Sequence, residues 1–366
     1  MSGVLGVGVI GCGSFGNRVM EAVSGLPEVR LIGIADARGE KLDAATRRWA
    51  ARPCRTIDQL LEDPRVSIVA IVTPPFLHAA HALAAIGAGK HVFTAEPLGA
   101  DLDQAATVVT MARIQGLQVA ANLPLRYVPA YRVLRLLVKG GTLGRLTYLG
   151  VENHISMRGL PVDHWAWDRE RSGGFLAEGG LHFFDLANHL LAAPPLSVAG
   201  VAHTTADGEP DGALVNVQYP NEVLASFYHL YQEQTREDVT ALRLSFEEAN
   251  IALHGWIPSH MDVEGMSAEA AGQLAGMLGR QLERVEASPL DDTQPREPLM
   301  RVPLSQGPPL EGYLAALRGA LNGLVRAIRN PLATPAVSPQ DILEGLRLAL
   351  RAQDAVDQKI VVNCAV

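Results

Sequence analysis

The residues whose types and spacing could do chemistry start close to the N-terminus. Gly11-Cys12-Gly13-Ser14-Phe15-Gly16 is a Gly-x-Gly-x-x-Gly run between a wholly apolar stretch (4–10) and a helical pattern (14–24). In that setting each glycine has a task. Gly11 permits the tight turn, Gly13 lets backbone approach a pyrophosphate, and Gly16 lets helix and strand pack closely. Ser14 and Phe15 open the helix, whose free N–H groups face an anion. Asp36 ends the next apolar run, about 20 residues on, where a carboxylate holds the hydroxyls of an adenosine ribose. These residues together read as a dinucleotide site. Asp36 repels a 2′-phosphate and so favours NAD; Arg38 is a guanidinium that could accept one, so NADP stays open. Thr73-Pro74-Pro75 stops the apolar run 67–72 at the edge where open α/β sheets bind ligands. Thr73, Pro74 and the following His78 therefore join the candidate cofactor residues. A plain strand stop reads equally well, and a structural role is the ordinary reading of His78 and His91.

A second group lies near the middle. Glu178 and His182 are spaced to share one face of a helix start, and an imidazole accepts or gives a proton near neutral pH. His182, Asp185 and His189 fall at i, i+3 and i+7. No further ligands converge on them in sequence, so Asp185 and His189 read as packing or capping groups and no metal is expected. His154, Asp163, His164, Trp165, Trp167 and Arg169 make a polar–aromatic stretch that suits either a carbohydrate pocket or a stapled surface loop.

The elements that must position these groups follow from periodicity. Apolar runs at 4–10, 30–35, 67–72, 91–94 and 117–121 alternate with helical patterns at 14–24, 38–50, 56–62, 76–88 and 101–115. Repeated β-α-β of this kind predicts an α/β domain, a doubly wound parallel sheet of the Rossmann type, over 1–122. Beyond it the pattern predicts a helix at 129–139, an alternating strand at 145–154, a glycine-rich turn at 172–180 and a helix at 181–192. Strands at 197–203, 212–219, 222–231 and 239–247 predict an open, mostly antiparallel sheet, with a hairpin turn at Pro220-Asn221. The stretch 264–310 reads as a helix and a long surface loop, and helices near 311–329 and 339–357 close the chain. Residues 123–366 thus read as an α+β domain for substrate binding and oligomer contacts.

Bulk properties narrow the field. The chain has 366 residues, 48% hydrophobic and 19% charged, which is globular and long enough for two cores. A formal charge of −8 without a basic run argues against nucleic acid or an anionic membrane as partner. Cys12, Cys54 and Cys364 form no metal or disulfide spacing and suit a reducing compartment. No apolar run is long enough to cross a membrane, and a soluble cytoplasmic protein is expected. Only four lysines occur: Lys41, Lys90, Lys139 and Lys359.

With those residues in view the chain resembles the Gfo/Idh/MocA family of oxidoreductases. The matching segments are VGVIGCGSFG, IADAR, VAIVTPPFLHAAHALAAIGAGKHVF, RYVPAY, the GGTLG turn and GGFLAEGGLHFFDLANHL, together spanning most of 4–192. The resemblance implies a second domain whose open sheet often makes oligomer contacts, so a homo-oligomer is expected. It also implies NAD(P)-linked oxidation of a sugar, polyol or related alcohol. Catalysis in the family rests on a Glu-Lys-Pro after a strand and an Asp-x-Gly-x-His followed by Asp. The first slot here reads Ala95-Glu96-Pro97, so Glu96 stands where the family has its lysine. The second reads Glu178-Gly179-Gly180-Leu181-His182, then Asp185. None of the four lysines is placed to substitute. Before Arg126-Tyr127 the family often carries Asn or Gln, where this chain has Leu123-Pro124-Leu125.

Three readings stay open. In the first, the protein is an oxidoreductase with His182 as base and with Glu178 and Glu96 in altered supporting roles. In the second, it is a non-enzymatic dinucleotide sensor. In the third, it is an NAD-dependent glycosidase. If Glu96 and Glu178 lie close, repulsion raises one carboxyl and the pair titrates together. Such a site disfavours acidic substrates.

Overall fold

The computed structural model describes residues 3–157, 161, 164–204, 210–232, 238–285, 299–304, 307–330, 332 and 335–364. Its first sheet is built from β1 (Leu5–Ile10), β2 (Val29–Ala35), β3 (Arg52–Cys54), β4 (Ile68–Ile71), β5 (His91–Thr94) and β6 (Val119–Ala121). The six pair in parallel in the order β3-β2-β1-β4-β5-β6. That order reverses beside β1, and ligands of such sheets bind at the carboxyl ends there. β1 and β4 are buried along their whole lengths, as continuous apolar runs require in a sheet covered on both faces. The crossovers carry α1 (Ser14–Ser24), α2 (Gly39–Trp49), α3 (Ile57–Leu61), α4 (His78–Gly87) and α5 (Leu102–Ile114). Sequence periodicity misses β3, whose Arg-Pro-Cys is too short to show a period.

Past Tyr127 come α6 (Pro129–Gly140), β7 (Leu146–Ser156), α7 (Arg169–Ser172), α8 (Leu181–Leu191), β8 (Ser197–Thr204) and β9 (Pro210–Gln218). They are followed by β10 (Leu224–Gln232), β11 (Val239–Phe246), β12 (Asn250–His254), β13 (His260–Glu264), α9 (Ala268–Met277) and β14 (Glu283–Val285). The last elements are β15 (Leu299–Pro303), α10 (Pro309–Arg329), α11 (Pro339–Gln358) and β16 (Val362–Asn363).

The chain forms two compact units, and their division differs from a single boundary near 122. The first comprises Met1–Tyr127, Val162–Leu181 and Tyr313–Leu350; the second comprises Val128–Pro161, His182–Gly312 and Arg351–Val366. Two later segments thus join the nucleotide-type unit. The reason for α10 is legible in its stripe. Leu317, Ala320, Leu321, Leu324 and Val325 recur at helical spacing and complete a core with Val7, Val9, Val19 and Met20.

The second unit is built on a ten-stranded sheet, β14-β15-β13-β12-β11-β7-β10-β9-β8-β16. It is antiparallel except where β10 runs parallel to β7. One face is buried and the other open: along β11, Thr240, Leu242, Leu244 and Phe246 are buried while Arg243 is exposed. Asn221 and Glu222 both take φ of 60°, the left-handed pair that a two-residue hairpin turn needs. Within 264–310 the helix is α9, but β14 and β15 replace part of the expected loop; 286–298 and 305–306 lie outside the described residues. The β12–β13 hairpin has no counterpart in the sequence reading. The expected turn at 172–180 ends in a single π-helical turn, Leu176–Gly180, that runs into α8. Among the described residues no helix is long and apolar enough to cross a membrane.

Candidate active site

The first unit gathers its candidate residues at the carboxyl ends of β1, β2, β4, β5 and β6. The glycine loop is closed from several sides. Gly11 has a φ of 108°, and a Cβ there would lie 2.5 Å from the Val72 carbonyl oxygen. A Cβ on Gly16 would lie 2.1 Å from the Gly11 oxygen, so only hydrogen fits. Gly13 is different: a Cβ there meets nothing within 4 Å. Gly13 is also the N-cap of α1, which has neither a side-chain cap nor an acidic first turn. Free amides and open space at a helix N-terminus are what a pyrophosphate requires. Ser14 is exposed and Phe15 half-buried at this end.

Asp36 sits as expected beyond the end of β2. Its Oδ2 accepts from the Cys12 N–H at 2.7 Å and its Oδ1 from the Arg38 N–H at 2.7 Å. The acid thus holds the glycine loop and the start of α2 in one arrangement. Arg38 is exposed, its guanidinium uncommitted among the described hydrogen bonds. Cys12 is an inert filler, because burial first, and then Asp36, push its thiol up to about 12.

His78 takes a structural position. It is buried, with Nδ1 2.6 Å from the Pro97 oxygen and Nε2 2.6 Å from the Thr73 oxygen. Both ring nitrogens are spent on backbone, so His78 ties the Thr73 and Pro97 loops together and offers no ring atom to a cofactor. Thr73 and Pro74 remain half-exposed. Lys90 is buried at the opposite edge, its Nζ donating to the Asp63 oxygen at 3.1 Å and the Val66 oxygen at 2.8 Å. Its ammonium is therefore committed to backbone carbonyls at that edge.

Glu96 is half-buried beyond β5, and it helps push up the hydroxyl of Tyr313, an effect second to burial. Asn122, buried just beyond the end of β6, donates its amide to that hydroxyl at 3.1 Å. The Arg18 guanidinium lies 5.7 Å from the Tyr313 ring centre. Asn122 Oδ1 is buried with no hydrogen-bond partner among the described residues, an acceptor suited to a carboxamide donor. Asn122 is also the polar residue that the segment before Arg126-Tyr127 was expected to lack; it stands one place ahead of Leu123. Tyr313 comes from α10, and no local signal in the sequence could have placed it here. These residues fit a nicotinamide dinucleotide: Gly11, Gly13, Gly16 and α1 at the phosphates, Asp36 at the ribose, and Asn122 as a free acceptor.

Glu178 falls in the π-helical turn and is half-buried, with its segment in the first unit. His182 follows four residues later in α8, in the second unit. Burial depresses its imidazole to about 4, so it is neutral at pH 7. The Trp256 ring meets it edge-on at 5.2 Å. Behind it lies His229, depressed to about 3 by burial and then by His182. Thr240 Oγ1 donates to Asn153 Oδ1 at 3.0 Å, and the Asn153 amide reaches His229 Nδ1 at 3.4 Å. That chain leaves the His229 proton on Nε2. His229 and Trp256 come from the sheet and were missed, since an isolated ring on a strand carries no motif. Asp185 is buried on α8 and helps push up the Tyr219 hydroxyl, behind burial and Cys364; Tyr219 donates to Asn188 at 2.8 Å. His154 belongs to the other unit from His164–Arg169, edge-on to Tyr228 and 3.1 Å from Glu152. His164 packs on Trp165, Trp167 and Arg169 are exposed, and Asp163 lies outside the described residues.

The two depressed imidazoles have a consequence for stability. Unfolded histidines titrate near 6.5, whereas His182 and His229 stay neutral down to about 4 and about 3. Below pH 6.5 the unfolded chain binds more protons, so stability falls as pH drops towards 4. At about 1.4 kcal/mol per unit the loss reaches several kcal/mol. Denaturant melts between pH 7 and 4 should show this early onset, flattened in His229→Gln; a curve flat to pH 4.5 contradicts it.

Three comparisons bear on this geometry. Residues 5–123 match the family model described as "Oxidoreductase family, NAD-binding Rossmann fold", and residues 131–251 match the "GFO/IDH/MocA C-terminal domain". An uncharacterized oxidoreductase of Synechocystis sp. is 34% identical over 157 residues, 42% of each chain. The 1,5-anhydro-D-fructose reductase of Ensifer adhaerens is 28% identical over 217 residues, 58% of this chain and 61% of that one. The match thus spans less than two thirds of either relative. The structure of GenD2 from gentamicin A biosynthesis in complex with NAD has the same fold, with a TM-score of 0.78 at 19% identity over 100% of this chain and 98% of the other.

Proposed function

The chain belongs to the Gfo/Idh/MocA family of oxidoreductases, and from that premise we propose that it oxidises a secondary alcohol of a sugar or polyol, passing hydride to NAD. The observation that carries this reading is the neutral, half-buried imidazole of His182 in a chain whose nucleotide loop is intact. A neutral imidazole takes the hydroxyl proton as hydride leaves the same carbon. Bound NAD would supply the hydride acceptor, held by Gly11, Gly13, Ser14, Phe15, Gly16, Asp36, Thr73, Pro74 and Asn122. Asp36 disfavours a 2′-phosphate, which supports NAD over NADP. The 1,5-anhydro-D-fructose reductase among the relatives supports a sugar-like substrate.

Glu96 and Glu178 modify this chemistry. Glu96 puts a carboxylate where the family has an ammonium, beside Tyr313 and Asn122. It favours neutral or cationic substrates over acidic ones, and Glu178 adds to the same bias. A second reading, a dinucleotide-binding sensor without turnover, is favoured by that lost lysine alone. Glu96→Lys separates the two. With NAD and a panel of polyols and sugars, we expect the substitution to cut an existing activity at least tenfold. A gain of activity over an inactive wild type would instead favour the sensor.

A further inference from the structure

A second cluster of ligating side chains closes the β12–β13 hairpin in the second unit. His254 and His260 are cross-strand partners, and their rings stack with centres 4.6 Å apart and planes 15° from parallel. Asp262 stands two residues further along β13, on the same face. His254 Nε2 lies 3.5 Å and His260 Nε2 3.8 Å from Asp262 Oδ2, and one ligand atom from each residue falls within 4.8 Å of the others. These separations are too long for good hydrogen bonds. They approach the edge of a tetrahedron, about 3.4 Å for metal–ligand bonds of about 2.0–2.2 Å.

Ser259 and Arg301 supply hydrogen-bond partners to the cluster. Ser259 Oγ donates to the His254 carbonyl oxygen at 3.3 Å. The same Oγ lies 2.9 Å from His260 Nδ1. With its ring proton on Nδ1, directed at Ser259 Oγ, His260 presents the Nε2 lone pair to a carboxylate oxygen. That juxtaposition is repulsive unless a cation lies between. Arg301 grips Asp262 from the other side, Nε to Oδ1 at 2.6 Å and Nη2 to Oδ2 at 2.9 Å. It fixes the carboxylate and leaves Oδ2 a further lone pair. A hydrogen-bonded histidine and a hydrogen-bonded carboxylate are the usual outer shell of a metal site.

We propose that His254, His260 and Asp262 bind one divalent cation of the zinc class, with water completing the coordination. Two imidazoles and one carboxylate select zinc, cobalt or nickel over magnesium and calcium, which want oxygen ligands. The ion ties β12 to β13 across the turn that carries Trp256, whose ring supports His182. Its role is to stiffen that support within the second unit. The sequence hides it, because the ligands are spaced H-x5-H-x-D across a hairpin and converge only after strand pairing.

The test uses the full chain, freed of metal with a chelator. Calorimetric titration with zinc should give one equivalent with a micromolar or tighter dissociation constant, and the melting temperature should rise by several degrees. Cobalt should produce visible absorption bands and broaden the ring signals of His254 and His260. His254→Gln/His260→Gln, which keeps the Asp262–Arg301 pair, should lose all these responses. No heat, no thermal shift and no cobalt bands in the wild type would overturn the proposal without reference to any variant. Unchanged binding by the double variant would overturn it too, placing the ion elsewhere, for example at the exposed His203–Asp211 pair.

Discussion

Replacing His182 with glutamine should lower NAD-linked turnover by roughly 10²–10⁴-fold, the usual worth of a positioned general base. Affinity for NAD should change little, because Gly11, Gly13, Gly16 and Asp36 lie in the other compact unit. Steady-state rates and a fluorescence titration of NAD(H) measure the two effects separately. The pH profile adds a sharper expectation. A free imidazole would impose an acid limb near 6.5. Burial holds His182 near 4, so the oxidation rate should be flat from pH 7 down to about 5 and decline only below that. The sign follows from the proton: the base works unprotonated, and a depressed value keeps it unprotonated further into acid. Turnover unaffected by His182→Gln, or a limb at 6.5 in the wild type, would remove His182 from the role.

The second large effect separates two glycines of one motif. Gly16→Ala forces a Cβ to within 2.1 Å of the Gly11 oxygen, and both positions are backbone. The loop and the start of α1 must move apart. We expect a loss of about 1–3 kcal/mol of stability, as for other forced overpacking, and at least a hundredfold loss of NAD affinity. Gly13→Ala meets open space in the free protein, and its extended backbone, φ −70° and ψ −168°, suits any residue. It should melt within a degree or two of wild type. The same Cβ would occupy the space kept for the pyrophosphate, so NAD affinity should still fall at least tenfold. Thermal melts and NAD titration of both variants check the contrast. Equal NAD binding by Gly13→Ala and wild type would mean that the phosphates lie elsewhere.

What was legible in the residues depended on how local the signal was. The glycine loop, Asp36 and the buried strands β1 and β4 announce themselves because their chemistry and their periodicity lie within one β-α-β unit. Glu178 and His182 were read from their four-residue spacing, which the structure distributes over a π-helical turn and the start of α8. The rest depended on contacts between distant segments. α10 returns to the first core through a stripe that looks like that of any amphipathic helix, and it carries Tyr313 to Asn122 and Glu96. His78 is read one way from its place after Thr73-Pro74-Pro75 and another from its two carbonyl partners. The β12–β13 hairpin and its histidines have too short a period to stand out. His229 becomes notable only when the sheet puts it behind His182. The misses around Tyr313 and His229 concern residues whose partners lie far along the chain, and no local pattern encodes that distance.

The central claim is that hydride moves between a sugar-like alcohol and NAD at this site. Its most direct measurement is the appearance of reduced nicotinamide when the purified chain meets NAD and a panel of neutral polyols and sugars. The account predicts NADH formation with at least one neutral substrate, slower with acidic analogues, and cut by roughly 10²–10⁴-fold in His182→Gln. Tight NAD binding with no NADH from any member of the panel would contradict it.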